Sequence, residues 1–559
     1  MVALASLLAL AVTLFPAGVQ CLWPQPSSIA SGATALKLSP GFYIQPDVSP
    51  PPADLLAAVA QTELYLRTDN MQRLVLGRGA YDISSVQSAK TLSSLVLSLE
   101  SGATVESIST EAVKALGSRS EGYTLTVPAN GSAATLKANS TLGLYRGLTT
   151  FSQMWYEYDG QIYTISAPYD IADSPAYPYR GFMLDTARNY FPVTDIYRTL
   201  DAMSWVKINT FHWHITDSQS WPLIVSQYPE LAQYGAYSSA DVYTPTDIQN
   251  IVSYAAARGI DVLLEIDTPG HTASIADAHP EYVACNQATP WSTFANEPPA
   301  GQLRFTDPAV RNFTASLLSS VAKTLPSSMF STGGDELNIN CYTYDNQTQA
   351  ELNSTGLTLE ESLSVFTQTT HGALIAEGKT PVVWEEMVLD HNVTLANDTI
   401  VMVWISSADA ASVADKGFRL VQAPSDYFYL DCGGGGWVGD YPAGDSWCDP
   451  FKTWQRAYTY DPLANLTATQ IPLVLGGEQL LWTEQSSPTN LDPIVWPRAA
   501  ASAEVFWTAT SPGGGALNVT EALPRLHDIR FRMVQRGVNA IVLQPLWCAL
   551  RPDACDLNA

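Results

Sequence analysis

The chain has 559 residues, 46% of them hydrophobic and 15% charged, and 28 Lys+Arg against 54 Asp+Glu give a formal net charge of −26. So acidic a surface repels nucleic acid and anionic membrane, which excludes both as partners and fits a soluble secreted protein working at low pH. The apolar content is ample for a large core, and the length suggests several domains, although barrels often exceed the average domain size.

The chain opens MVALASLLALAVTLFPAGVQC. The apolar run from Leu4 to Phe15 is too short to span a bilayer and is broken by Pro16, so residues 1–21 read as a signal peptide, cleaved near Cys21, although no Lys or Arg lies beside Met1. Residues 22–175 mix short strands and helix. LVLSLE (Leu95 to Glu100) and GYTLTV (Gly122 to Val127) alternate as half-buried strands do, and Ser140 to Trp155 reads as a helix, together a small α/β domain. DSPAYPYRG (Asp173 to Gly181) brings two prolines and marks a junction.

From 176 to 559 short apolar runs alternate with helical stretches. The runs are Arg180 to Asp185, Ile208 to Ile215, Asp261 to Asp267, Met329 to Glu336, Pro381 to Glu386, Ile400 to Ser406, Arg419 to Pro424 and Leu473 to Glu484. Helical stretches between them include VTDIYRTLDAMSWVK and TDIQNIVSYAAARG, the latter expected to be capped by Thr246 and Asp247 and closed by Gly259. Near-continuous apolar strands imply a parallel sheet, and eight of them imply a closed (β/α)8 barrel, with a doubly wound open sheet as the alternative. Barrels of this kind carry their sites at the C-terminal ends of the strands. Carboxylates and aromatics recur there: Asp185, Asp267, Asp335, Glu336, Trp384, Trp404, Trp482 and Glu484. Indole faces stack on sugar C–H faces while carboxylates and arginine take hydroxyls, so such a rim suits carbohydrate.

Seven cysteines leave an even six once Cys21 goes with the signal, as an oxidising compartment permits. The sequence leaves their pairing open; Cys285–Cys341, Cys432–Cys448 and Cys548–Cys555 is the arrangement expected here, the last two pairs being close in sequence. The spacings match no zinc motif, and neither metal nor cofactor is expected. Asn-x-Ser/Thr triplets at Asn130, Asn139, Asn312, Asn346, Asn353, Asn392, Asn397, Asn465 and Asn518, together with a signal, predict a glycosylated surface.

The motifs RGFMLDTARNYF, NTFHWHITDSQSWP, EIDTPGHT, GGDE, VVWEE, YFYLDC and LLWTE follow one another in that order between Arg180 and Glu484. Jointly they resemble the β-N-acetylhexosaminidases of glycoside hydrolase family twenty, most closely secreted fungal members. The N-terminal LYRGLTTFSQM is similar to a helix found in that family. The resemblance implies a (β/α)8 catalytic domain preceded by a smaller α/β domain. It further implies an exo-acting enzyme that removes terminal β-linked N-acetylglucosamine or N-acetylgalactosamine from chitin oligosaccharides or glycans. The substrate's own 2-acetamido oxygen is the nucleophile in that family, so no second carboxylate has to face the first across the sugar.

By the same resemblance Glu336 is the general acid/base, with its carboxyl raised by an enclosed, negatively charged setting. Asp335 orients the acetamido group and Tyr429 donates to its oxygen. Trp384, Trp404 and Trp482 wall the sugar. Arg180 is expected to hold sugar hydroxyls as a bidentate donor, with Asp431 and Glu484 taking others. Asp217 and His271 match positions that tune the acid and join the substrate-binding set, while Ser218 stands where many members carry a second Asp. Relatives commonly dimerise, so a homodimer is an expected assembly.

Competing readings weigh on single residues. Alone, an Asp-Glu pair is a solvated turn and a barrel Trp is core; the Gly-Gly turn and the strand-end positions argue otherwise here. His212 and His214 alternate in FHWHI, so one is expected to face the barrel and one outward, both as structural hydrogen-bonding groups. Glu385, Glu386 and Asp185 read as supports. The glycine-rich Cys432 to Cys448 segment, if disulfide-closed, is an ordered loop over the pocket rim. A catalytically dead sugar-binding protein on the same fold is the rival from outside enzymology. An endo-chitinase of the other substrate-assisted family is disfavoured because D-x-x-D-x-D-x-E is absent, and a hexosaminidase with a carboxylate nucleophile is the third.

Overall fold

A computed structural model describes residues 21–511 and 515–558; the signal-peptide reading, Cys21 apart, lies outside these described residues. Strands Ser28–Asp47, Lys90–Leu99, Tyr123–Val127, Ala134–Ala138, Tyr156–Tyr158 and Gln161–Asp173 form one mixed sheet. Tyr123–Val127 and Ala134–Ala138 bury every second residue, which is the period-2 signature that sets one face against a core. That core includes the helix Thr141–Gln153, whose N-cap Ser140 accepts from the Gly143 N–H.

The second body is a closed, all-parallel barrel. Its eight strands are Tyr179–Asp185, Thr210–Thr216, Asp261–Ile266, Met329–Ser331, Thr380–Trp384, Ile400–Val403, Arg419–Gln422 and Val474–Leu481. Each overlaps one of the eight apolar runs of the sequence, in order, extending at most one residue beyond it at either end. They are buried almost throughout because helices cover the outside and side chains fill the inside. No helix of the described residues is long and apolar enough to cross a membrane.

Two local readings need correction. The helix Pro245–Ala256 is capped by Thr244, not Thr246: the Thr244 hydroxyl accepts from the Asp247 N–H while Asp247 accepts from Thr244 N–H, a complete capping box, and Pro245 occupies the first turn. His212 and His214 do not point to opposite faces. Residues two apart on a strand share a face, and both imidazoles reach Glu265 inside the barrel.

The two bodies meet at the N-terminal end of the barrel through buried ion pairs. Glu121 holds Arg146 and Arg180, Asp261 holds Arg119, and Asp173 holds Lys207. Disulfides link Cys285–Cys341, Cys432–Cys448 and Cys548–Cys555. All nine sequon asparagines are exposed.

Candidate active site

The fourth barrel strand stops at Ser331, so the acid pair lies in the turn beyond it rather than on the strand. Gly333 and Gly334 adopt φ of 62° and 99°, and Glu336 itself sits at 55°. A Cβ on Gly333 would lie 2.0 Å from Asp267 Oδ1, and one on Gly334 2.6 Å from Met387, so only glycine fits. Side chains of neighbours on a strand diverge; this left-handed turn instead delivers Asp335 and Glu336 to the same pocket. A non-glycine residue at positive φ costs of order 1–3 kcal/mol and persists where the surroundings over-determine it.

The pocket has a volume of about 280 Å³ and opens at the C-terminal rim of the barrel. Trp384 ends the fifth strand, Trp404 follows the sixth and Trp482 follows the eighth. Tyr429 stacks parallel to Trp404, centroids 6.1 Å apart, and Trp482 lies 6.2 Å from Trp384. Trp404 is fixed by its Nε1–H donating to Glu386 at 2.8 Å, and its backbone N–H donates to Glu385. The Cys432–Cys448 loop closes one side, with Trp447 set edge-on to both Trp404 and Tyr429. Asp431 and Glu484 complete the far wall. Asp335 Oδ1 and Asp431 Oδ1 are buried without a hydrogen-bond partner. Such atoms are costly unless a ligand satisfies them.

Three readings from sequence fall out differently. Arg180 is not in the pocket. It stands at the start of the first barrel strand, and its guanidinium donates to Lys207 O, Tyr177 O and Glu121. The strand's length separates it from the functional rim by roughly 16 Å, at about 3.3 Å per residue. Arg188, just past that strand, lines the pocket instead, held by Asp217 at 3.0 Å and Glu297 at 2.5 Å with its carbon 4.9 Å from the Trp482 ring. Asp217 is also off the pocket wall. It lies behind it, 3.2 Å from His271 Nδ1, and acts on His271 and Arg188 rather than on a ligand.

The third concerns Glu336. Burial pushes its carboxyl up, but His271 Nε2, 3.3 Å away, pulls it down and prevails, so Glu336 sits below the ordinary glutamate value. The expected rise is therefore absent, because a cation faces the acid. Asp335 moves the other way: burial and the neighbouring Asp267 hold it well above the usual carboxylate range. Burial likewise lifts Asp431 to about 7 and Glu484 well above its ordinary value. Sequence reasoning missed Arg188, Asn296, Glu297, Trp437 and Trp447 as lining residues. Arg188 was legible within RGFMLDTARNYF, and Trp437 and Trp447 lie in the Cys432 to Cys448 segment expected over the rim; Asn296 and Glu297 sit in a long connection with no local signature.

These shifts carry a pH dependence of stability. His212 and His214 rise to about 9 and about 10, although burial opposes it, because carboxylates flank both. Burial lifts Glu385 to about 9 and Glu386 to about 8. In each case the folded state binds protons that the unfolded state has released, so stability falls as pH rises, from about 4.5 for the glutamates and about 6.5 for the histidines. Glu121, despite its burial, is drawn to about 2 by Arg180 and Arg146, so its contribution is lost as pH falls through the acid range. Thermal unfolding should give a clearly higher midpoint at pH 5 than at pH 9; an equal or higher midpoint at pH 9 contradicts this account.

A parallel (β/α)8 barrel whose C-terminal rim gathers an acid pair and a box of aromatics is a carbohydrate-cleaving enzyme in architecture. The catalytic domain of Glycosyl hydrolase family 20 matches residues 177–510, and a beta-acetyl hexosaminidase like domain matches 22–154. A beta-hexosaminidase of Arthroderma benhamiae is 37% identical over 443 residues, 76% of this chain and 72% of that protein. A chitooligosaccharidolytic beta-N-acetylglucosaminidase of Bombyx mori is 36% identical over 76% of this chain and 72% of its own length. The solved chitobiase of Flavobacterium johnsoniae superposes with a TM-score of 0.74 at 26% identity, covering 93% of this chain and 74% of that one. The chain belongs to glycosyl hydrolase family 20 and is a glycoside hydrolase of the β-N-acetylhexosaminidase kind.

Proposed function

We propose that the enzyme removes terminal β-linked N-acetylglucosamine, and N-acetylgalactosamine, from chitin oligosaccharides or glycans, with the substrate's acetamido oxygen as nucleophile. The observation that carries this is the turn that brings Asp335 and Glu336 into one pocket, with Asp335 Oδ1 buried and unpartnered. Two adjacent side chains are poorly placed to flank a sugar as acid and nucleophile, but well placed to address two atoms on one side of it.

In this reading Glu336 protonates the leaving oxygen. Asp335 accepts from the acetamido N–H and steadies its growing positive charge, while the Tyr429 hydroxyl donates to the acetamido oxygen. The oxygen closes on the anomeric carbon, the glycosidic bond breaks, and an oxazolinium forms. Glu336, now anionic, takes a proton from the water that opens it. Trp384, Trp404 and Trp482 enclose the methyl group and the sugar face. Arg188, Asp431 and Glu484 hold ring hydroxyls. The opposed shifts of the two carboxyls fit these roles: an arriving N–H favours the Asp335 anion, and the proton it sheds is available to Glu336, both carboxylates lying within 3.7 Å of His271 Nε2. The closed aromatic box favours one terminal sugar over a mid-chain one. The disulfides and the nine exposed sequons support secretion and glycosylation.

The test compares nitrophenyl β-N-acetylglucosaminide with nitrophenyl β-glucoside, alongside a thiazoline analogue of the oxazolinium. Hydrolysis of the first only, blocked by the thiazoline, is the expected result. Equal hydrolysis of the glucoside, or indifference to the thiazoline, overturns the reading.

A further inference from the structure

Behind Glu336 and His271 the barrel interior holds a file of alternating acids and imidazoles that the reaction as described does not use. It begins at the N-terminal end, where the Tyr179 hydroxyl donates to Glu478 Oε2 at 2.6 Å. Glu478 Oε1 lies 2.9 Å from His212 Nδ1, and His212 Nε2 lies 3.1 Å from Glu265 Oε2. Glu265 Oε1 lies 2.6 Å from His214 Nδ1, and His214 Nε2 lies 2.8 Å from Asp217 Oδ2. Asp217 Oδ1 meets His271 Nδ1 at 3.2 Å, and His271 Nε2 reaches Glu336 Oε2 at 3.3 Å. Every imidazole in the file is bracketed by two carboxylates. The side chains of Glu478, His212, Glu265, His214 and Asp217 have no exposure at all.

Bare hydrophobic side chains would fill this space at less cost, since buried ions add stability only when fully paired. The file runs under the pocket floor: the His212 ring lies 5.7 Å from Trp384, and His214 is edge-on to Trp482 at 4.9 Å. It leads to one destination, the carboxyl that handles the proton. Asp217 serves both His271 and Arg188, with His214 as its third basic neighbour.

We propose that this file sets the ionisation of Glu336, with Glu265 and His214 as positioning residues that act through Asp217 and His271. The inference rests on Glu336 being the general acid. Inside the barrel, where water is excluded, charges interact over longer distances than they do in solvent, and most strongly in contact. His214 is cationic between its two acids, holds Asp217 ionised, and so keeps His271 a cation beside Glu336. The other charged groups facing this chain are Arg188, Asp267, Asp335 and Glu386, with Glu297, Asp185 and Glu484 around Arg188. No substitution below alters them.

Alternation gives the proposal a signature that loosened packing cannot mimic. Glu265→Gln removes a negative charge while Asp217, 2.8 Å from His214 Nε2, keeps that imidazole cationic, so the file becomes more positive, the Glu336 anion is favoured, and the alkaline limb of the kcat/KM profile moves down by ~0.5–1 pH unit. His214→Gln removes a positive charge and moves the same limb up by a similar amount. Ser331→Ala deletes a 2.5 Å hydrogen bond to Glu265, weakens its anion, and gives a smaller downward shift, which carries the test if Glu265→Gln does not fold. Alkyl N-acetylglucosaminides, which need their leaving oxygen protonated, should show these shifts. A 2,4-dinitrophenyl N-acetylglucosaminide, which departs unaided, should show them weakly. Opposite shifts support the file as a control of Glu336. Shifts of one sign, or none within 0.2 unit in any foldable variant (roughly the scatter of such profiles against the 1.36 kcal/mol of a full unit), overturn it. Glu336→Gln keeps the two readings apart: if it leaves the alkaline limb in place, Glu336 is not the acid; if it abolishes the limb while the other variants leave it unmoved, only the file proposal fails.

Discussion

Glu336→Gln is expected to lower kcat on a methyl N-acetylglucosaminide by about 10²–10⁴, the usual worth of a positioned proton donor. Glutamine preserves the volume and the reach toward His271 but has no proton to give. On a 2,4-dinitrophenyl leaving group the first step needs little protonation, so the loss there should be far smaller and should appear mainly in the opening of the oxazolinium. The Glu336 carboxyl is pulled below the ordinary range by His271 once its burial is outweighed. Its replacement should therefore also free His271 from one acid partner and lower that imidazole's basicity. Undiminished hydrolysis of the methyl glycoside would remove Glu336 from the mechanism and revive the carboxylate-nucleophile rival.

Asp335→Asn carries the second large effect, a fall in kcat of about 10²–10³, the scale seen when one preorganised electrostatic partner of a transition state is lost. Asn cannot stabilise the positive charge that grows on the acetamido nitrogen as its oxygen attacks. It can also turn its own NH2 toward that nitrogen's hydrogen and misdirect the arm. The deficit should persist on the dinitrophenyl substrate, because cyclisation precedes or accompanies departure whatever the leaving group. That pattern separates the neighbours: position 336 responds to the leaving group and position 335 does not. An Asp335→Asn enzyme whose deficit vanished with dinitrophenolate would mean that the acetamido arm is not the nucleophile.

Asp335 also shows why the ground state differs from the reacting one. Burial and Asp267 hold its carboxyl well above the usual carboxylate range, while Glu336 faces a cation and lies below its ordinary value. Each is thus biased toward the proton state that the proposed roles assign to its neighbour. The sequence motif announces two acids but not which one owns the proton, because ownership depends on groups folded in from Asp267, His271 and Asn296.

The sequence by itself determined the barrel, since each of the eight strands is a short apolar run between helical stretches, and that pattern is local. It determined the acid turn too, because Gly333 and Gly334 are the only residues that clear Asp267 and Met387 at positive φ. It placed Trp384, Trp404 and Trp482 at the rim, because a parallel barrel puts the C-terminal ends of all its strands on one side. Only the tertiary structure decided between Arg180 and Arg188. Both follow from one motif, but strand direction sends the first to the N-terminal body and the second to the pocket. It alone joined Asp217 to His271, 54 residues away, and Glu478 to His212, 266 away. Such pairings exist only once the barrel closes, because closure brings into contact side chains that no local pattern relates.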